Sequence, residues 1–261
     1  MLHAGLVSVT FRKLPPREVV SLAKQAGLYG IEWNGDVHLP PGDLGKAREI
    51  RELTLESGLY VAAYGSYYRV GQTGASGPTF EQVLETAVEL GAPTVRVWPG
   101  TTGSDVTDDD VRWKIIQELR RIADLAAKAR ITVSLEFHGG TLTDTNESAS
   151  QLLVEVDHPN VFTYWQPHNG EETAACVDGL RAILPRLSNV HVFHWWPTDK
   201  DRLPLEQGEE RWTQFLDVID LAPGDRHLMI EFVPDDSPEA FLRDAALLKK
   251  WILERKIVVA G

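Results

Sequence analysis

Apolar and polar positions along the chain follow two alternating rhythms. Short runs in which every second residue is apolar predict strands. Longer runs with apolar residues three and four apart predict helices. The first strand is expected over 6–11. A helix opened by Pro15 and Pro16 follows, striped by Val19, Leu22, Ala23 and Ala26 and closed by Gly27. The second strand is LYGIEW (28–33), and a loop with Pro40, Pro41 and Gly42 leads into a helix over 43–57. LYVAAYGS (59–66) is the third strand, followed by a polar glycine-rich loop over 69–77 and a helix over 78–90. TVRVWPG (94–100) is the fourth. Thr107 is expected to cap the next helix, with Asp108, Asp109 and Asp110 at the positive end of its dipole, so this acidic run reads as a helix start rather than a metal site.

The fifth strand lies in ITVSLEFHGG (131–140). Val133, Leu135 and Phe137 share one face, and Ser134, Glu136 and His138 share the other. A helix over 145–156, the strand NVFTYWQ (160–166), a helix over 171–184 and the strand NVHVFHWW (189–196) come next. A polar loop then leads to a helix carrying Trp212, Phe215, Leu216 and Ile219. The eighth strand, HLMIEFV (227–233), precedes a helix over 238–253, and the tail 257–261 is expected to cover one end of the fold. Eight alternating strands and helices in one unbroken stretch predict a parallel sheet and an α/β fold: a single (β/α)8 TIM barrel, one domain over 1–261. The alternative, a doubly wound open sheet, lacks a GxGxxG opening its first helix.

Composition narrows the partners. The net charge of −12 disfavours gripping a phosphate backbone, so no nucleic acid is expected. The single cysteine, Cys176, excludes an internal disulfide and a cysteine-rich zinc site, and its helical setting reads as a buried structural thiol. No apolar run suits a membrane span and no signal-like start is seen, so a cytoplasmic protein is expected.

A barrel brings its strand ends into one ring. Those ends carry Glu32 and Trp33, Tyr64 and Ser66, Arg96 and Trp98, Glu136 and His138, Gln166 and His168, His194 with Trp195 and Trp196, and Glu231. Glu136, Gln166, His194 and Glu231 offer three oxygen ligands and one imidazole. That set suits one divalent ion, Mn²⁺ above all, with Mg²⁺, Co²⁺ or Zn²⁺ as alternatives. Glu136 and Glu231 across a substrate would serve as acid and base. His191 alternates opposite to His194 and is expected to pack outside. Glu32 and Arg96 read as an interior ion pair. Trp33, Tyr64, Arg96, Trp98 and Trp196 are candidates to contact a small sugar or polyol, and His138, one step beyond Glu136, is a substrate contact rather than a ligand. Tyr64, Tyr67 and Tyr68 would either lid the mouth or meet another subunit of a homo-oligomer.

The fragments GIEWNGDVHLPPGD, VAAYGSYYRVG, LEFHGGTLTDT, YWQPHNG, HVFHWW and LPLEQGEERW resemble the xylose-isomerase-like TIM barrels, in particular the branch labelled sugar phosphate isomerase/epimerase. The resemblance runs over essentially the whole chain. It implies a D-tagatose 3-epimerase-like metal ring in which Glu136 and Glu231 bind the ion and act as the acid/base pair, with His194 as the imidazole ligand. The family's fourth ligand is an Asp followed by a substrate-binding His three residues on. This chain has Gln166 followed by His168 two residues on, so either His168 takes the ligand position or it contacts substrate. No glycine-rich phosphate cradle accompanies the branch's label. The implied activity is isomerisation or epimerisation of a small sugar or polyol derivative through a metal-stabilised enediolate. A lyase or dehydratase acting on a keto-sugar or keto-inositol is the alternative, ahead of an abasic-site endonuclease or a non-catalytic sugar-binding barrel.

Overall fold

In a computed structural model, which describes residues 1–72 and 77–259 and side chains as far as Arg255, the strands close into a barrel. They are β1 (Leu2–Val7), β2 (Gly30–Asn34), β3 (Tyr60–Val70), β4 (Thr94–Pro99), β5 (Thr132–Leu135), β6 (Val161–Trp165), β7 (Leu187–Val192) and, after a small hairpin, β10 (Arg226–Ile230). Around the barrel the order is β1, β10, β7, β6, β5, β4, β3, β2, and every neighbouring pair is parallel. The helices α1 (Pro16–Gln25), α2 (Leu44–Glu56), α3 (Phe80–Leu90), α4 (Asp109–Lys128), α5 (Asn146–Val156), α6 (Thr173–Ile183), α7 (Glu209–Ile219) and α8 (Pro238–Val259) form the outer layer.

Local signals set several helix ends. Thr79 and Gln82 close a capping box on α3, and Gly91 ends that helix at φ 76°, where a side chain would be strained. Asp108, rather than the expected Thr107, caps α4 by accepting the Val111 N–H. Thr107 instead bonds back to the Gly103 carbonyl.

Four boundaries depart from the sequence pattern. The first strand is Leu2–Val7, and Ser8–Phe11 form a 3-10 turn instead. The pattern misled because Val9 and Phe11 are buried as fully as strand residues. β3 runs on to Val70, with a register shift against β4 between Gly65 and Tyr68, so the expected loop begins later and its residues 73–76 lie outside those described. In the loop after β7, β8 (His194–Trp195) and β9 (Arg202–Leu203) pair antiparallel, and the Trp196–Pro197 bond is cis. α8 continues to Val259, so the expected tail falls in or beyond the last turn, where side chains are not described.

The main core lies between sheet and helices, lined by residues such as Ile31, Val95, Val97, Val133, Leu135, Val190 and Val192. The barrel interior is different. Beside a small apolar cluster with Val7, Ala62, Ala63, Tyr164 and Met229 it holds Glu32, Arg96, Ser134, Thr163, Asn189 and His191, all 5% exposed or less. A polar interior near the strand ends needs internal partners, because water does not reach it.

Candidate metal centre

Glu136 is the first residue past β5. Its N–H donates to the Val97 carbonyl of β4 at 3.1 Å, and its own carbonyl accepts from Thr143. Glu231 is fixed likewise past β10, its N–H donating to the Val192 carbonyl of β7 at 3.1 Å. Between them stands His191, fully buried, pointing inward from β7. Its Nδ1 lies 3.3 Å from Glu231 Oε2, 3.6 Å from Glu136 Oε1 and 2.8 Å from the Gln166 amide oxygen. Ligating atoms of Glu136, His191 and Glu231 all lie within 4.8 Å of one another.

This corrects the expected imidazole. His191 faces the centre, whereas His194 has left the barrel strand and pairs in the β8–β9 hairpin. There its ring packs on Gly208, where an added Cβ would sit 2.6 Å from His194 Nδ1. Parity within the strand holds, with Asn189 and His191 inward and Val190 and Val192 outward, but it stops at Phe193.

Below the centre, Arg96 joins two carboxylates. Its Nε donates to Glu32 Oε1 at 2.7 Å, and its Nη1 donates to Glu136 Oε2. Trp98 Nε1 donates to the same Glu136 oxygen. One oxygen of Glu136 is therefore held twice, and the other, Oε1, faces His191. Gly65 makes this possible: a Cβ there would come within 2.6 Å of Arg96 Nη2 and 2.7 Å of Glu32 Oε1. Burial opposes the charge on Glu32, but Arg96 and His191 outweigh it and lower the carboxyl pKa to about 2. Burial likewise opposes a charged His191, but Glu231 and Glu32 prevail and raise it to about 9. The pKa of Glu231 is lowered, His191 and Arg96 overcoming its burial.

Above the centre opens a cleft of about 350 Å³. One wall is Tyr67, Trp98 and His138; the other is Phe193, Trp195 and Phe232. Tyr67 leans on Trp98 at 5.0 Å and His138 lies over the same indole at 4.3 Å. Opposite, Trp195 stacks on Phe193 at 4.1 Å and meets Phe232 at 5.6 Å. Tyr67, at the β3 register shift, and Phe232, two residues past β10, hold φ of 57° and 54°, a left-handed conformation that costs an ordinary side chain about 1–3 kcal/mol. His168 stacks on Phe137 at the cleft edge, and its Nε2 is buried without a hydrogen-bond partner. Burial lowers the pKa of both His138 and His168.

The remaining expectations divide by parity. Trp33, next to inward-facing Glu32, points to the helices and donates to Thr54 Oγ1 at 3.1 Å. Tyr64 is buried with its hydroxyl on the Leu39 carbonyl. Trp196 lies beneath Arg211, while Trp195 lines the cleft. Neither Trp33, Tyr64 nor Trp196 is a cleft residue. Arg96 lies beneath the cleft, against Glu136, and is not among its lining residues. Of the three tyrosines expected at the mouth, only Tyr67 is there; Tyr68 donates to Glu118 at 2.7 Å on the helix side. His191, at the centre, and Phe232, in the cleft wall, are the positions the pattern did not select, whereas Tyr67 was expected at the mouth and Trp195 at a strand end. Inward parity with Asn189 was the available signal for His191; the aromatic positions depend on a bulge and on loop turns that no periodicity encodes.

The donor set fits a divalent cation. Two carboxylates and an imidazole converge, the Gln166 oxygen is at hand, and the thiolates that would draw softer metals are absent from the group. With Arg96 and the protonated His191 as cations, the carboxylates of Glu32, Glu136 and Glu231 leave the pocket with one negative charge, and loss of the His191 proton makes it two.

The fold is a closed eight-stranded parallel barrel, and its strand-end cluster of Glu136, His191 and Glu231 could hold a metal ion. Residues 20–251 match the family model described as xylose isomerase-like TIM barrel, and the chain belongs to that family. A 3-dehydroshikimate dehydratase from Bacillus anthracis is 32% identical over 120 residues, a match spanning 43% of this chain and 43% of that protein. Among solved structures, the probable 3-DHS dehydratase AsbF from Bacillus anthracis superposes with a TM-score of 0.76 at 21% identity, covering 95% of this chain and 98% of the other. The IOLI protein, solved with a zinc atom, gives 0.72 at 16% identity over 97% of each chain. No helix among the described residues is long and apolar enough to cross a membrane.

Proposed function

We propose that this barrel is a divalent-metal-dependent enzyme that removes a proton beside the carbonyl of a small polyhydroxylated keto compound. The observation that carries the reading is the convergence of Glu136, His191 and Glu231 beneath an aromatic-walled cleft. Glu136, His191 and Glu231 would hold the ion, with Gln166 beside them; Mn²⁺ is the favoured identity. When bound, the ion supplies Lewis-acid polarisation of the substrate carbonyl and steadies the negative charge that follows loss of the proton.

The chain's own groups divide the remaining work. Arg96 and Trp98 hold Oε2 of Glu136, so the proton would go to a lone pair of Oε1 that the ion leaves over. Glu231 stands on the other side of His191 and can return one. The facing aromatic walls accept a flat or nearly flat ring and keep water from it. His168, which lines the cleft edge and is held neutral by burial, would bond a substrate hydroxyl through its unpartnered Nε2 once a ligand reaches it.

The fate of the carbanion separates two outcomes. Loss of a β-hydroxyl as water is favoured by the partial match to a dehydratase, and a flat unsaturated product suits the two aromatic walls. Return of the proton, giving isomerisation or epimerisation, is the second reading; the second carboxylate, Glu231, favours it.

Incubation of a panel of keto-sugars, keto-inositols and cyclic keto acids with Mn²⁺-loaded protein in deuterated water tests both. C–H exchange with loss of water by mass spectrometry supports the lyase, and exchange with an epimer or isomer supports the second reading. Absence of both exchange and product across the panel sinks the proposal.

A further inference from the structure

Beneath the metal centre two buried polar atoms have no hydrogen-bond partner, and they face each other. Glu32 Oε2 and His191 Nε2 are 3.6 Å apart. That distance exceeds a hydrogen bond, which needs about 2.7–3.2 Å between nitrogen and oxygen. Both side chains are fully enclosed, so bulk water offers neither a partner. The other oxygen of Glu32 is already held by Arg96, and Arg96 reaches on to Glu136. A continuous chain of contacts thus runs from His191 through Glu32 and Arg96 to Glu136, entirely below the cleft.

We propose that Glu32 and Arg96 are positioning residues for the centre: Glu32 accepts a hydrogen bond from the Nε2–H of His191 and so fixes Nδ1 as the ligating nitrogen, while Arg96 fixes which oxygen of Glu136 faces the cleft. The inference rests on the metal-centre reading above. Neutral imidazole carries one proton. With the ion bound, a proton on Nε2 satisfies Glu32 and leaves the Nδ1 lone pair for the site between Glu136 and Glu231; without the ion Nδ1 carries a proton as well, donated to the Gln166 oxygen at 2.8 Å. With the ion bound, a single proton on Nδ1 instead would aim a donor at the cation and set the Nε2 lone pair against the unpartnered oxygen of Glu32, two acceptors face to face in a dry interior. A few tenths of an ångström of closure converts the 3.6 Å approach into a hydrogen bond. Gly65 is the structural complement, since any side chain there would enter the space Arg96 and Glu32 occupy.

The test uses the full chain and Zn²⁺, which is diamagnetic. Long-range ¹H–¹⁵N correlation of the Zn²⁺-loaded parent, with His191 assigned by its loss in His191→Gln, is expected to show the Nε2–H tautomer. Calorimetric titration is expected to show Glu32→Gln binding Zn²⁺ some 10- to 100-fold more weakly than the parent, the range usual for loss of a ligand's hydrogen-bond partner. The control Thr94→Val removes another buried interior contact, that with Ser134, and is expected to bind as the parent does. An Nδ1–H tautomer in the loaded parent overturns the proposal, as does a Glu32→Gln affinity within about twofold of the parent. If Glu32→Gln does not fold, the parent's tautomer decides. A parent that binds no Zn²⁺ at all removes the metal centre and this inference together, whereas a parent that binds alongside an unchanged Glu32→Gln removes this inference alone.

Discussion

Glu136 is the residue on which the proposed chemistry converges, because its two oxygens have different surroundings. Oε2 is held by Arg96 and Trp98, and Oε1 looks toward His191 and the cleft. Glu136→Gln keeps the shape and the acceptor but loses the base, so kcat/KM is expected to fall at least ~100-fold. The melting temperature in the same preparation should stay close to the parent's, which separates lost chemistry from lost fold. His191 makes the centre pH-dependent. In the metal-free protein its pKa is raised to about 9, so at neutral pH a proton occupies the imidazole that a cation requires. Binding must displace that proton. Apparent affinity is therefore expected to rise with pH, by up to about tenfold per unit, and to level off above about 9. Titrations between pH 6.5 and 9.5 in buffers of different ionisation heat would count the released proton; an affinity flat over that span contradicts the assignment. His191→Ala should abolish binding and His194→Ala should leave it unchanged. That contrast marks where the sequence was legible and where it was not. The alternation in 131–140 exposed Glu136, and the eighth strand exposed Glu231. The choice between His191 and His194 depended on where β7 ends, and a strand end is not written in a two-residue period.

Among the elements, β3 is the one most shaped by the site. Its register shifts between Gly65 and Tyr68, and this bulge carries Tyr67 into the cleft. Gly65→Ala would press a Cβ into Arg96 and Glu32, and a stability loss of about 1–3 kcal/mol is expected from such overpacking. Thermal unfolding measures it, and an unchanged midpoint would mean that Arg96 can move aside. α8 carries a separate, pH-linked feature. Asp244 accepts the Leu205 N–H at 3.2 Å in a buried position, and burial, with Glu206 nearby, raises its pKa to about 6. An unfolded aspartate titrates near 3.9, so the unfolded chain binds fewer protons between about pH 4 and 6. Stability is accordingly expected to fall as pH rises through that window. Asp244→Asn should raise the melting temperature at pH 7.5 and not at pH 4; equal effects at both pH values would refute the linkage. Element by element, the βα alternation was fully readable because each strand and helix carries its own period. The first strand slipped by four residues because Val9 and Phe11 extend the apolar pattern into a 3-10 turn. The β8–β9 hairpin, two residues per strand, was too short to leave a pattern.

At the scale of the molecule, closure of eight strands gathers carboxylates from β2, β5 and β10 with the imidazole of β7, residues up to about two hundred positions apart. A net charge of −12 surrounds a pocket that is itself negative. Such a surface attracts a small cation and repels a nucleic-acid backbone, so abasic duplex is expected to remain unnicked with Mn²⁺ present, as a plasmid-relaxation or gel assay would read. In both outcomes of the proposed reaction the first event is the same and would depend on one occupied centre. The most direct measurement is therefore anomalous diffraction from crystals soaked in Mn²⁺. A single strong peak bonded to Glu136, His191 and Glu231 is the expected result; a centre without a peak, or a peak at His194, would contradict it.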